Sequence, residues 1–168
     1  MSNLFKSILP FVGIFLITLS HAQNYPEKPI KIIIGFAAGG PTDVIARVLA
    51  QDMTGTLGQS VIVENKAGAN AKIATEFVAQ ATPDGYTLLF ASLSHNVNAI
   101  MLKKPGYDPI GSFEPISMVA DLPMILVTGY NSTSKSLPEL IKLARDKPGT
   151  ISYSSSGNAG SSHLAGSL

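Results

Sequence analysis

Three stretches of this sequence combine residue types that could bind something: "FAAGGPTD" (36–43), "ASLSHNVNA" (91–99) and "SSSGNAGSSH" (154–163). Each follows an apolar run, is built from small or hydroxylated residues, and leads into a helical pattern. In open α/β sheets, ligands sit beyond the carboxyl ends of the strands. Helix N-termini there offer unpaired N–H groups and the positive end of the helix dipole, which suits anions. One such interaction is worth roughly 0.3–1 kcal/mol when exposed and up to about 2 kcal/mol when partly buried, so useful affinity needs loops that converge.

The anion is not expected to be a nucleotide. The first loop lacks the Lys-Ser/Thr ending of a phosphate-binding P-loop and the G-x-G-x-x-G spacing of a dinucleotide site, and Glu64 is a weak candidate for holding a ribose. Asp43 reads first as structural, because it falls in a first helical turn and precedes Arg47 by four residues. Beyond residue 22 there are two histidines, His95 and His163, and the chain has no cysteine, so a metal site lacks ligands. Ser161, Ser162 and His163 are adjacent in sequence without a G-x-S-x-G elbow, which leaves a serine hydrolase as a poor alternative. Helix-start histidines satisfied by neighbouring groups are the expectation. Arg47 and Arg145 fall inside helical patterns, so a carboxylate would be gripped by backbone N–H groups and hydroxyls.

The elements that must position these loops alternate in type. "KPIKIIIGF" (28–36) reads as a buried strand, and "TDVIARVLAQDM" as a helix with Val44, Ile45, Val48 and Leu49 on one face, stopped by Gly55 and Gly58. "SVIVEN" (60–65) is a second strand. "NAKIATEFVAQA" is a helix with Ile73, Ala74, Phe77 and Val78 in phase and Asn70 as its N-cap. A turn at "PDGY" then leads to a third strand, "TLLFAS". This order predicts a parallel α/β sheet with right-handed crossovers. "KKPGYDPIGSFEP" has no period and reads as an interdomain crossing. Beyond it, "ISMVA", "PMILVTG" and "TISYSS" read as strands, and "SLPELIKLARDKPG" as a helix opened by a Ser136–Glu139 capping box. The chain stops in a last helix with no strand after it, which points to a fragment.

With 45% apolar and 14% charged residues in a 168-residue chain, a real core is affordable. A formal charge of +1 without a basic cluster argues against nucleic acid as a partner. "MSNLFK", the apolar "SILPFVGIFLITL" and the small residues Ser20 and Ala22 form a three-part secretory signal, with cleavage expected after Ala22. Its apolar run is too short to span a bilayer. The expected product is a soluble, disulfide-free periplasmic protein.

"YPEKPIKIIIGFAAGGPTDVIARVLAQ", "GQSVIVENKAGAN", "TPDGYTLLFAS" and "ISYSSSGNAGSSHLAG" together resemble the Bug family, the periplasmic solute receptors of tripartite tricarboxylate transporters. The resemblance covers Tyr25 to Leu168. It implies an α/β fold of the type II periplasmic binding protein kind: two α/β lobes with a ligand cleft, here with the second lobe incomplete. Residues 1–22 would be the signal peptide, 23–104 lobe one and 105–168 lobe two. The implied ligand is a small organic acid. Carried over by motif, it would be held by Ala37, Ala38, Gly39, Gly40, Thr42, Asp43, Ser92, Ser94 and His95 of lobe one. Ser155, Ser156, Gly157, Asn158, Ala159, Ser161 and Ser162 of lobe two would complete the site. Pro41 departs from the family's usual small residue, and "KAGANAKIA" is less glycine-rich than the family's "RPGAGGNIG"-like stretch. The resemblance implies no enzymatic activity, no cofactor and a monomer. Its partners would be a carboxylate ligand and membrane transporter subunits or, alternatively, a sensor kinase; an inactive remnant is the bland alternative.

Overall fold

A computed structural model describes residues 25–155 and 160–167. The expected signal peptide, its cleavage site after Ala22, and the loop residues Ser156, Gly157, Asn158 and Ala159 lie outside the described residues.

The β-branched run after Pro29 forms strand β1 (Ile30–Ile34), whose residues are buried except Lys31. Helix α1 (Pro41–Leu57) leads to β2 (Val61–Asn65), and α2 (Lys72–Ala79) leads to β3 (Thr87–Phe90). Both β2 and β3 pair with β1 in parallel, in the order β2-β1-β3, so the most apolar strand takes the centre. Helices α3 (Leu93–Met101), α4 (Leu137–Asp146) and α5 (Ser161–Ser167) follow. The parallel α/β order is the expected one.

One sheet face carries Ile32 and Ile34 against Ala46 and Ala50 of α1, with Phe36, Leu49, Met53, Val61, Val63, Leu88 and Phe90 packed around them. Small residues on that helical stripe let α1 lie close to the sheet. This corrects the expected buried face: Val44 and Val48 are 53% and 65% exposed, while Asp43, Ala46 and Ala50 are buried. Gly55 does not stop α1, which runs through it to Leu57. Gly58 does, as a left-handed C-cap whose N–H donates to the Thr54 carbonyl. On the second face, Lys31 pairs with Glu64 at 2.7 Å, so Glu64 has a partner within the sheet.

Helix α2 also starts differently from expectation. Asn70 is not its N-cap; Ala71, in the left-handed region, holds that position without a side-chain hydrogen bond. Ile73 and Phe77 are exposed, and Ala74 and Thr75 take the buried face.

At α4 the expected cap is present: Ser136 Oγ accepts the Glu139 N–H, and Glu139 Oε2 accepts the Lys135 N–H at 2.7 Å. The runs "ISMVA", "PMILVTG" and "TISYSS" are not strands. A strand exists through its ladder, and nothing among the described residues pairs with these three segments. No helix among the described residues is long and apolar enough to cross a membrane.

Candidate functional site

The three strands end at one edge, where the chain leaves β1 through Gly35–Gly40, β2 through Lys66–Ala71 and β3 through Ala91–Ser92. The close backbone approach that glycine permits occurs at Gly35. A Cβ placed there would lie 2.2 Å from the Ala71 Cβ, so the first and second loops touch only because residue 35 has no side chain.

The second loop is wound in an unusual sense. Ala69, Asn70 and Ala71 have φ of 45°, 53° and 69°, three consecutive non-glycine residues in the left-handed region. Each costs roughly 1–2 kcal/mol relative to right-handed backbone. A polar network offsets this cost. Ser94 Oγ donates to Asn70 Oδ1 at 2.9 Å, and Asn98 Nδ2 donates to the Asn70 carbonyl at 2.7 Å. Ser94 and Asn98 are both buried. The α3 face thus clamps the strained turn.

In the first loop, Asp43 is 3% exposed, and both of its oxygens are occupied. Oδ2 accepts from the Gly39 N–H and Arg47 Nε, each at 2.9 Å, and Oδ1 accepts from Asn65 Nδ2 at 2.9 Å. The Arg47 guanidinium first, then the Gly39 N–H and the Asn65 amide, hold its carboxyl well below the usual carboxylate range. Asn65 Nδ2 also donates to the Phe36 carbonyl at 3.0 Å, tying the loop to β2. Helix α1 itself begins at Pro41 with no side-chain cap on its first amides.

Ser92 caps α3 by accepting the Ser94 N–H at 3.3 Å. His95 faces the 105–113 segment: its Nε2 lies 2.9 Å from the Pro109 carbonyl, and its ring packs against Tyr107 and Phe113. Burial pushes the Tyr107 phenol upward, and its hydroxyl donates to the His95 carbonyl at 2.7 Å.

A cavity of about 730 Å³ opens beside these loops. It is lined by Gly35, Phe36 and Ala37 from the first loop, Ala67 to Ala71 from the second and Lys72 from α2. Asn98, Met101, Leu102 and His163 complete it. Of the expected site residues, Ala37 alone is among its described lining. Ala38 and Gly39 are exposed nearby, and Thr42 is half-buried in α1. Ser94 is hydrogen-bonded inside the protein, and Ser155, exposed, and Ser162 each engage groups within the chain. His95 is bonded through Nε2 alone, and the buried Nδ1 atoms of His95 and His163 lack hydrogen-bond partners among the described residues, which corrects the expectation of satisfied histidines. Ser161 opens α5, two residues before His163.

The resemblance set "KAGANAKIA" beside the cleft, but none of its residues was among the expected ligand contacts. The second loop had the same layout as the three chosen junctions, a strand followed by small residues and a helix. Among the described residues, no cluster of histidine, aspartate and glutamate could hold a metal ion. A smaller cavity of about 290 Å³ lies at the opposite strand ends, where Lys28 and Asp84 neutralise each other at 2.9 Å.

A parallel sheet with its loops gathered around a cavity at the strands' carboxyl ends defines an α/β ligand-binding architecture. Residues 45–167 match the family described as "Tripartite tricarboxylate transporter family receptor", and the chain belongs to that family. It is 37% identical to Protein BugT of Bordetella pertussis over 164 residues, covering 94% of this chain and 50% of BugT. Among solved structures, the periplasmic binding protein BugD superposes with a TM-score of 0.75 at 42% identity, over 84% of this chain and 48% of BugD. A Rhodopseudomonas palustris protein solved with adipate gives a TM-score of 0.68 at 30% identity, over 74% of this chain and 42% of its own. MatC of the same organism, solved with malate, gives 0.64 at 31%, over 72% and 42%. The chain spans about half the length of the curated relatives it matches.

Proposed function

We propose that this chain serves as a periplasmic receptor for a small organic acid, which it delivers to a tripartite tricarboxylate-type transporter. The observation that carries the reading is the cavity at the strand ends. Small residues and the polar residues Asn70, Lys72 and Asn98 are among its lining, and no carboxylate side chain is among the described lining residues. Such a surface suits an anion. Asp43, in the first turn of α1, is already neutralised by Arg47, Asn65 and the Gly39 N–H, so it does not repel one.

In this reading the first loop receives one carboxylate at Ala37, which lines the cavity, and α3, capped by Ser92, supports the opposite side. Lobe one is assigned to 23–104 and lobe two to 105–168, and the second lobe's ligand contacts are assigned to Ser155–Ala159, Ser161 and Ser162. Contacts from both lobes at once would drive closure. A signal peptide cleaved after Ala22 would place the monomeric product in the periplasm, where its partners are the ligand and the transporter's membrane subunits. Relatives solved with adipate and malate favour di-acids as the first to test.

The test is a thermal melt of the mature protein, produced from its native gene, against a panel of mono-, di- and tricarboxylates. Binding to the native state alone raises Tm, by an amount that grows with ligand concentration; at 100 times Kd the stabilisation is about 2.7 kcal/mol. One or a few acids should produce the shift. A panel without any shift at millimolar ligand overturns the reading.

A further inference from the structure

Helix α2 breaks the usual rules for starting a helix. It has no side-chain cap, it follows three left-handed residues, and its first residue is a lysine at the end of the dipole that disfavours cations. Local rules broken together at one place mark a functional site more often than a structural one. That lysine, Lys72, lines the cavity.

Lys72 Nζ is paired with Glu76 Oε1 at 2.8 Å, and both side chains keep about a quarter of their exposure, at 26% and 29%. Glu76 is not among the lining residues; it rests against Gly106, where a Cβ would fall 1.8 Å from Glu76 Oε1. Gly106 also has a φ of 83°, a backbone conformation that favours glycine there. The carboxylate therefore rests against Gly106 of the 105–113 segment, while its lysine partner is among the residues that line the cavity. An ammonium group has three N–H donors, and one of them satisfies Glu76.

We propose that Lys72 determines specificity for the second carboxylate of a di-acid. The inference rests on the carboxylate-receptor reading above. With one carboxylate on the amides of the Ala37 loop, the ligand's far end meets Lys72 across a cavity that both residues line. Glu76 holds the ammonium in place when the cavity is empty and leaves it donors for the ligand. A mono-acid of the same length gains nothing from this charge and would lay a methyl group against it.

The experiment is isothermal titration of the mature protein, produced from its native gene, with adipate and hexanoate and with other matched pairs of di- and mono-acids. The wild type should prefer the di-acid of its best pair by about tenfold or more. Lys72→Met should remove that preference, and Lys72→Arg should keep most of it. Far-ultraviolet circular dichroism confirms that each variant is folded, with Lys72→Gln standing in if Lys72→Met does not fold. Equal losses for both acids, or an unchanged ratio in Lys72→Met, overturn the assignment of Lys72 and leave the receptor reading intact. Binding of no acid by the wild type overturns both.

Discussion

Both carboxylate oxygens of Asp43 are engaged within the protein, and three elements meet on them: the first loop through Gly39, α1 through Arg47, and β2 through Asn65. This buried junction fixes the rotation of α1, which explains why Ala46 and Ala50 face the sheet while Val44 and Val48 do not. Asp43→Asn removes the charge that Arg47 faces and should lower Tm by about 5 °C or more at neutral pH. The sign of the pH dependence follows from the depressed carboxyl pKa. The stabilisation is fully present above the ordinary value of 3.8 and is lost as pH falls through the lower folded value. The Tm difference between wild type and Asp43→Asn should therefore narrow as melts are taken to progressively more acidic pH below that value. A constant difference would show that the network does not act through the ionised carboxylate.

Among the elements, the turn Ala69–Ala71 is where local preference and tertiary structure conflict. Its backbone suits glycine, yet alanine, asparagine and alanine occupy it, and the contacts of Ser94 and Asn98 hold it closed. Ala69 is exposed and contributes little packing. Ala69→Gly should relieve left-handed strain at a smaller cost in unfolded-chain entropy, raising stability by roughly 0.5–1 kcal/mol. Urea denaturation checks this, and a lowered midpoint at unchanged slope would contradict it. This turn was not legible in the sequence: "GAN" before a helical pattern suggested Asn70 as an N-cap, because side-chain capping is the common use of asparagine there. What decided otherwise was Asn98, twenty-eight residues away, whose amide reaches the Asn70 carbonyl. Ser94 and His95 were likewise recognisable as loop-end polar residues, but their partners, Asn70 and the Pro109 carbonyl, come from other segments.

For the whole molecule, the described core lies between Ile30 and Phe113, where the sheet, α1–α3 and the Tyr107–Phe113 contacts on His95 are found. The segment that follows is apolar and exposed: Met118 is 86% and Tyr130 98% accessible, and no ladder engages its backbone among the described residues. Proteases need extended, unpaired chain. In the 168-residue polypeptide, chymotrypsin should cut between residues 114 and 130 first, leaving a resistant fragment that contains 30–113, as mass spectrometry of a time course would show. First cuts inside 30–113 would refute this division of stability. The three apolar runs expected as strands in 116–155 illustrate the same point. Their β-propensity is evident in the sequence, but a strand requires a neighbour, and propensity cannot supply one.

The sequence by itself determined the alternation of strands and helices from Ile30 to Phe90, their parallel pairing, the capped start of α4 and the Asp43–Arg47 pairing. Each of these follows from short-range spacing: a β-branched run, a capping box, an i,i+4 pair. Tertiary structure alone decided which glycine the fold needs for close approach, Gly35 against Ala71. It also decided which face of α1 is buried, how the left-handed turn is held, and which cation lines the cavity. Those depend on atoms brought together from distant parts of the chain, where volume, hydrogen-bond partners and charge are set by the neighbour and not by the residue itself.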